Sequence, residues 1–443
     1  MAEELLVDVL VIVAGTLVSC ILGCLPALHI YNVAGIVFMG WGTLEAWTHL
    51  TPLQMGLFML SLIVGYSFIN TIPSIFLGAP DESCAFLVLP STKYLMQGRG
   101  YEAAILTGVG SLGGAVVLLM LTPVIFYLLP NFKNLIQPHM GWILMTNIAY
   151  MLLSEFPKSF DRGKTGIRRF LDAYVSLGAG LLTFALSAAL GFIVTSKNMV
   201  PLDISFQGIM PAFVGLFAVP WVLGNIISRT TVPQQFIQES VDLDGELLVR
   251  GTLAGSMGGF FAAVFPIVTA GIGALIAGHA TAQQDDRLFV LSYGANKVIY
   301  YVGAFLFFFV PGLGLTRGGM AIMMAPHYRP LGYEDYAAAV GAIALSAAVA
   351  FSMLDVASRL AIRVIRRVDY RLLSWVALIF IVCLVGVLTR GMGLCVMGVA
   401  TAIGWIPVLF NSRRSNCMGV LLFPICMYMS GYGPAILAFM GLD

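Results

Sequence analysis

The segment from Asn70 to Cys84 combines two prolines, a glycine and two adjacent carboxylates with sequence as apolar as a membrane helix. It reads Asn-Thr-Ile-Pro-Ser-Ile-Phe-Leu-Gly-Ala-Pro-Asp-Glu-Ser-Cys, and Asp81 and Glu82 directly follow Pro80. Ionisable groups and interrupted backbone at membrane depth are costly, and they are tolerated where they are buried in protein or line a wet cavity. These residues therefore predict a substrate or ion site on a transport pathway.

A broken membrane helix can bind an anion without an arginine. The second half-helix exposes backbone N–H groups whose partial positive charge attracts a carboxylate or phosphate, while freed carbonyl groups of the first half attract a cation. Two such breaks give the predicted substrate-binding residues: Pro26, His29, Asn32, Ser74, Gly78, Ala79, Pro80 and Ser83 in the first half of the chain, and Pro266, Thr269, Asn296 and Arg317 in the second.

The charged residues near these breaks suit the coupling of transport to an ion. Asp81 and Glu82 are better ion or proton groups than anion binders, because a carboxylate repels an anionic substrate unless it is protonated or neutralised by a cation. The expected coupling ion is a proton or sodium, and the alternative is that one carboxylate caps a half-helix. Lys297 and Arg317 either supply positive charge to the site or extend to a membrane interface.

The sequence shows no pattern typical of an enzyme, a cofactor site or a metal site. It has no catalytic Ser/His/Asp spacing, no metal-binding helix motif and no Walker loop. Its seven cysteines lie mostly in apolar runs and lack zinc-type spacing. We therefore expect no catalytic residue, no cofactor and no metal.

The elements that position the predicted site are membrane helices. Hydrophobic residues make up 59% of the chain and charged residues 10%, with a mean hydropathy of +0.93, whereas about a quarter of the residues of soluble domains are charged. Apolar stretches of about twenty residues predict an all-α polytopic membrane protein with roughly ten to thirteen spanning or half-spanning segments. The net charge of +1 argues against a nucleic-acid partner.

The basic residues predict which loops are cytoplasmic. Segments 157 to 170 and 359 to 371 carry five basic residues each, and the positive-inside rule places both inside. Counting helices outward from these loops leaves sixteen basic residues inside and four outside, namely Lys133, Lys197, Arg329 and Arg390. The count takes 103 to 129 and 416 to 440 as single helices and separates 372 to 389 from 392 to 411. It predicts a cell-membrane protein with both termini extracytoplasmic, provided that segments 5 to 46 and 71 to 90 are both re-entrant hairpins and not full crossings.

An internal repeat with opposite orientation fits this topology. Gly15, Pro26, Ala34 and Ile36 recur 240 positions later as Gly255, Pro266, Ala274 and Ile276. One half starts outside and the other inside, which predicts inverted repeats with a site near mid-membrane between discontinuous helices. We expect a first repeat at 1 to 227, a cytoplasmic linker at 228 to 250 and a second repeat at 251 to 443, with broken or re-entrant segments at 10 to 46, 71 to 90, 251 to 280 and 311 to 325. The alternative is that the glycines only permit close helix packing.

Three stretches resemble the large membrane subunit of tripartite tricarboxylate transporters, especially its archaeal branch. They are residues 22 to 34 (Leu-Gly-Cys-Leu-Pro-Ala-Leu-His-Ile-Tyr-Asn-Val-Ala), 72 to 83 and 98 to 104. The resemblance spans most of the chain and is strongest over residues 15 to 115. It implies an inverted-repeat secondary transporter of carboxylates driven by an ion gradient. Bacterial members work with a small membrane subunit and an extracytoplasmic binding protein.

The chain differs from that family at the predicted tips. The family often has Pro-Gly at both hairpins, whereas Pro26 is followed by Ala27 and Pro266 by Ile267. Bacterial members tend to have Pro-Gly-Glu-Ser where this chain has an additional carboxylate, Asp81, after its proline. Citrate-like trianions are less favoured as substrates next to this added negative charge.

Two function classes follow from these patterns. The first is a secondary active transporter of an organic anion, driven by a proton or sodium gradient. The alternative is a translocase for a polyprenyl phosphate, since the same helix tips could hold a lipid phosphate. The expected partners are accordingly a small anionic substrate or a lipid phosphate, the membrane lipids, and the two accessory subunits that the resemblance implies.

Overall fold

The computed structural model describes residues 2 to 81, 83 to 155, 166 to 197, 208 to 265, 268 to 283, 285 to 311, 313 and 318 to 442. Over these residues the chain forms helices and no strand. Eight helices are long and apolar enough to cross a membrane, or nine if one bent pair counts as a span, and two shorter apolar helices accompany them. The predicted all-α polytopic membrane fold is thus confirmed.

The helices, in chain order, are α1 (Ala2–Leu22), α2 (Ile30–Met39), α3 (Trp41–Thr48), α4 (Pro52–Ile69), α5 (Thr71–Phe76), α6 (Val88–Met96), α7 (Gly100–Met120), α8 (Thr122–Ile136), α9 (Met140–Leu153), α10 (Ile167–Ser196), α11 (Met210–Phe213), α12 (Val219–Ile227), α13 (Gly245–Val264), α14 (Ala270–Ala280), α15 (Asp286–Val298), α16 (Ala304–Leu306), α17 (Gly318–Met324), α18 (Tyr333–Arg367), α19 (Tyr370–Phe410), α20 (Gly419–Met429) and α21 (Gly433–Met440). Short 3-10 turns lie at Gln137–His139, Phe307–Phe309 and Arg414–Met418, and π turns at Val214–Ala218 and Ile299–Gly303.

The helix breaks predicted from proline are present in the first half of the chain. Helix α1 ends before Pro26, Ala27 takes a positive φ of 60°, and α2 starts at Ile30. A second break separates α5 from α6 and contains Pro80. Proline lacks the N–H that continues a helix and restricts the residue before it, so both breaks have a local cause. In the second half α13 and α14 are also separate helices, and Pro266 lies outside the described residues.

Two helices predicted to be single are divided. The segment 103 to 129 is interrupted at Leu121, because Pro123 has no N–H for the Leu119 carbonyl, which instead accepts the Thr122 hydroxyl at 2.8 Å. The segment 416 to 440 bends by 119° between α20 and α21, where Gly431 has a φ of 81°. The predicted separation near residue 390 is present as a kink inside α19, since Arg390 has a φ of 57°.

The chain divides into two compact units. Unit 1 comprises Met1–Lys133 and Asn225–Ala377, and unit 2 comprises Asn134–Gly224 and Leu378–Asp443. Each unit thus takes one segment from each half of the chain. The predicted site residues all belong to unit 1.

Helix α15 lies between α7 and α13 in unit 1, and glycines let the three backbones approach closely. A Cβ at Gly114 of α7 would lie 2.7 Å from the Ala295 Cα, and a Cβ at Gly259 of α13 would lie 2.6 Å from the Asn296 carbonyl oxygen. Small residues at such contacts increase van der Waals packing between membrane helices. The position of α15 is therefore fixed by both neighbours, and α15 carries several side chains of the site.

Unit 2 contains α9, α10 and α20 packed together. The buried Glu155 carboxylate follows α9 and accepts the Arg413 backbone N–H at 2.8 Å and the Asn416 side-chain amide at 2.9 Å. These bonds connect the end of α9 to the turn before α20. The described part of unit 2 holds none of the predicted site residues.

Candidate functional site

Asp81 is the centre of a polar cluster at the break between α5 and α6. One carboxylate oxygen, Oδ2, accepts the Tyr66 hydroxyl at 2.5 Å and the Asn70 amide at 3.0 Å. The other, Oδ1, accepts the Ser83 hydroxyl at 2.7 Å and the Cys84 backbone N–H at 2.8 Å. Four donors hold the carboxylate in place.

The Asn70 side-chain amide connects Asp81 to a buried lysine. Its nitrogen donates to the carboxylate, and its oxygen accepts the Lys297 ammonium at 2.7 Å. Lys297 is fully buried, so it does not extend to a membrane interface. A buried ammonium group requires a nearby compensating charge, and the negative charge that Asn70 links to it is that of Asp81.

Residues on one face of α15 and the following π turn contact the first half of the chain. Tyr293, Lys297 and Tyr301 are four residues apart, a spacing that places side chains on the same helix face. The Tyr293 hydroxyl donates to the Ser83 carbonyl oxygen, Lys297 contacts Asn70, and Tyr301 contacts His29. This face therefore connects both breaks of the first half.

His29 caps α2 and belongs to an aromatic cluster. Its Nδ1 accepts the Tyr31 backbone N–H at 3.1 Å, and its Nε2 lies 3.0 Å from the Tyr301 hydroxyl. The first bond requires an unprotonated Nδ1, so the neutral Nε2–H tautomer fits these contacts. The Tyr66 ring lies 5.4 Å from His29 and 5.9 Å from Tyr301. Tyr66 therefore joins the aromatic cluster to the Asp81 carboxylate.

The start of α17 lies against the same cluster. A Cβ at Gly318 would be 2.9 Å from the Tyr31 hydroxyl oxygen, and one at Gly319 would be 2.8 Å from the Tyr31 ring. Gly318 also has a φ of 78°, which a side chain would disfavour. The first break and the segment predicted to be broken at 311 to 325 thus meet at Tyr31.

Two buried polar side chains at the helix starts lack a hydrogen-bond partner among the residues that the structure describes. Asn32, in the first turn of α2, is 0% exposed and neither its amide nitrogen nor its oxygen is bonded. Thr269, directly before α14, is 3% exposed with an unpaired hydroxyl. Leaving a buried polar group unpaired costs about 1–3 kcal/mol, so each calls for an explanation. Both lie where N–H groups of a half-helix begin, which is where an anion binds.

Asn296 holds the start of α14 from the neighbouring helix. Its amide nitrogen donates to the Ala270 carbonyl oxygen at 2.6 Å, and its buried oxygen is unpaired. That oxygen lies 2.8 Å from the Cβ positions of both Gly258 and Gly273, where α13 and α14 touch. Asn296 precedes Lys297 in sequence. Two successive residues of α15 therefore reach different places, since Asn296 contacts the break between α13 and α14 and Lys297 contacts the Asp81 cluster.

The remaining predicted residues lie in or next to the two breaks of the first half, one between α1 and α2 and the other between α5 and α6. Ser74 donates to the Asn70 carbonyl oxygen at 3.3 Å, and Gly78 takes a positive φ of 60°. The Ala79 N–H is already bonded to the Pro73 carbonyl oxygen at 3.1 Å, so it is not open to a substrate in this structure. Pro26, Ala79 and Pro80 are buried. The predicted residues Glu82, Pro266 and Arg317 lie outside the described residues.

The sequence-based prediction of the site did not include four of its contributors. They are Tyr66, Asn70, Tyr293 and Tyr301. The sequence contained one signal for two of them, since Tyr293, Lys297 and Tyr301 repeat every four residues along a buried segment. Tyr66 lies in a helix that is uniformly apolar around it, where a tyrosine is equally typical of core packing.

Comparison with known proteins gives a family match along nearly the whole chain. Residues 9–419 match the family model described as "Tripartite tricarboxylate transporter TctA family". An uncharacterized protein of Methanocaldococcus jannaschii is 24% identical over 436 residues, which cover 96% of this chain and 99% of that protein. No solved structure matches the chain.

Proposed function

The chain belongs to the tripartite tricarboxylate transporter TctA family, and from that premise we propose that it is a secondary active transporter that moves an organic carboxylate across the cell membrane. As a member of this family with eight or more candidate spans, it is a multi-pass membrane transport protein. The carboxylate substrate and its coupling to a proton or sodium gradient are our proposal.

The observation that supports an anionic substrate is the unpaired Asn32 amide. It is fully buried in the first turn of α2, whose N–H groups carry partial positive charge. Thr269 directly precedes α14 as His29 directly precedes α2, and the two helices start 240 positions apart, at Ile30 and Ala270. In our proposal a carboxylate accepts hydrogen bonds from the Asn32 amide and the Thr269 hydroxyl.

Coupling is assigned to the carboxylates after Pro80. Asp81 is connected to the aromatic cluster through Tyr66 and to a buried ammonium group through Asn70. A charge change at Asp81 therefore alters contacts at both breaks of the first half. Glu82 is proposed as a second coupling group from its sequence position alone.

Two protein partners are proposed from the family. These are a small membrane subunit and an extracytoplasmic binding protein that delivers the substrate. Co-purification of the chain with the products of adjacent genes would test this part of the proposal.

The decisive experiment is transport by the purified protein in liposomes. Uptake of citrate and of succinate is measured with an imposed proton gradient, an imposed sodium gradient or neither, and translocation of a polyprenyl phosphate is measured in parallel. Gradient-dependent uptake of a carboxylate is the expected result. Polyprenyl phosphate movement without carboxylate uptake would contradict the proposal and support the lipid translocase instead.

A further inference from the structure

The polar cluster around Asp81 and Asn70, called the Asn70 and Asp81 pocket below, already contains a cation that belongs to the protein. Lys297 is 0% exposed, and its Nζ donates to the Asn70 amide oxygen at 2.7 Å. The nitrogen of the same amide donates to Asp81 at 3.0 Å. The ammonium, the amide and the carboxylate form a series whose formal charges cancel, which is the arrangement that makes a buried charge tolerable.

The oxygen atoms that a sodium ion would require are occupied in this pocket. A hard cation is bound by carboxylate, amide and carbonyl oxygens. Here the Asn70 oxygen accepts Lys297, the Ser83 carbonyl oxygen accepts Tyr293, and each oxygen of Asp81 accepts two donors. A sodium ion could enter only by displacing the lysine and turning these donors away.

We infer that the Lys297 ammonium is the resident cation of the Asn70 and Asp81 pocket, and that a sodium ion therefore does not bind there. This inference rests on the proposed function, because it concerns the coupling site that the proposal assigns to Asp81. Lys297 acts as the residue that determines ion specificity.

Among the described residues that face the pocket, Asp81 and Lys297 are the two ionisable groups of opposite charge. Tyr66, Cys84 and Tyr293 also face the pocket, and each is neutral at pH 7 by its ordinary chemistry. His29 faces Tyr66 in its neutral form.

The test measures cation binding and does not require transport. The thermal unfolding midpoint of the purified full chain is compared in sodium chloride and in choline chloride at equal ionic strength. The variants are Lys297→Met, Asp81→Asn and the double variant. Binding of sodium to the folded state raises the midpoint in proportion to its occupancy.

The expected pattern is specific to the resident-cation inference. Wild type should show no sodium-specific stabilisation that Asp81→Asn abolishes. Lys297→Met should have a lower unfolding midpoint in choline chloride and regain stability in sodium chloride. The reason is that sodium compensates the Asp81 charge, which has lost its partner ammonium group. The double variant should be insensitive to sodium.

Two results would overturn the inference. One is a sodium-dependent midpoint in wild type that Asp81→Asn abolishes, and the other is a folded Lys297→Met variant that does not respond to sodium. If Lys297→Met does not fold, Lys297→Gln in the same assay provides the test, with sodium added during purification. Because no substrate is present, a failure of the proposed carboxylate transport would not alter these outcomes.

Discussion

At the scale of single residues, the site consists of buried polar groups. Some of them have hydrogen-bond partners and others have none among the described residues. Each oxygen of the Asp81 carboxylate accepts two hydrogen bonds, whereas neither atom of the Asn32 amide has a hydrogen-bond partner among the described residues. The sequence predicted both residues, because Asp81 directly follows Pro80 and Asn32 lies six residues after Pro26, both in apolar sequence. It could not predict Asn70 as the link to Lys297, since that contact joins residues 227 positions apart.

Replacing Asn32 with alanine should weaken substrate binding without unfolding the protein. The amide donates to the substrate in our proposal, and loss of a hydrogen bond to a charged group costs about 1.5–3 kcal/mol, or about tenfold to a hundredfold in affinity. The unliganded protein should be as stable as wild type or more stable, because an unpaired polar group is removed. Citrate or succinate binding by calorimetry and thermal unfolding measure the two effects.

Asn147→Ala is the matched control for this substitution. Asn147 is also a buried asparagine with both amide atoms unpaired, but it lies in α9 of unit 2. It should change stability in the same direction and leave substrate affinity unchanged. An equal loss of affinity in both variants would show that Asn32 acts through general stability.

Asp81→Asn should reduce the dependence of uptake on the ion gradient. The substitution keeps the shape of the side chain but removes the carboxylate to which our proposal assigns coupling, so substrate movement should approach passive equilibration. Asp286→Asn is a suitable control, since Asp286 is 42% exposed and pairs with Lys93 at the surface, where ion pairs contribute about 0–1 kcal/mol. Uptake with unchanged gradient dependence in Asp81→Asn would assign Asp81 a capping role instead.

At the scale of helices, the breaks at proline were predictable and the bends at glycine were not. Pro26 and Pro80 remove an N–H that a continuous helix requires, which favours a break near them, although Pro130 and Pro424 lie within α8 and α20. Gly431 follows Ser430 and precedes Gly433 and Pro434, residues typical of a turn, but glycine is also common in membrane helices that do not bend, so the sequence left both readings open. The position of α15 was also not predictable, because it depends on glycines of α7 and α13 that contact it from distant parts of the chain.

Gly273→Ala should disrupt the contact that places the start of α14. Its added Cβ would collide with the Gly258 carbonyl oxygen of α13 and lie 2.8 Å from the Asn296 side-chain oxygen. Forced separation of two packed helices costs about 1–3 kcal/mol, so the thermal midpoint and substrate affinity should both fall. Gly278→Ala lies on the same helix with its nearest contact at 3.8 Å. It should be neutral or slightly stabilising, and a loss in Gly278→Ala equal to that in Gly273→Ala would contradict the steric explanation.

At the scale of the whole molecule, each compact unit combines one segment from each half of the chain. Unit 1 takes residues 1 to 133 and 225 to 377, and unit 2 takes residues 134 to 224 and 378 to 443. The division into inverted repeats at 1 to 227 and 251 to 443 stays a prediction. It is supported by the starts of α2 and α14, which are 240 positions apart, the same offset as the sequence repeat. Topology is the measurable property that distinguishes inverted repeats from parallel ones, because only the former start on opposite sides of the membrane.

The orientation of the molecule can be measured at the two ends of α18. This helix has 35 residues, about 50 Å of length, which exceeds the roughly 30 Å hydrocarbon core, so its ends lie on opposite sides of the membrane. Leu331, before the helix, is 90% exposed, and Arg371, after it, belongs to the basic segment 359 to 371. Cysteines placed singly at these positions in a chain lacking the seven native cysteines are treated with a membrane-impermeant maleimide. We expect Leu331→Cys to be labelled in intact cells and Arg371→Cys only after permeabilisation, because five basic residues favour the cytoplasmic side. The reverse pattern would invert the assignment of every loop and place both termini in the cytoplasm.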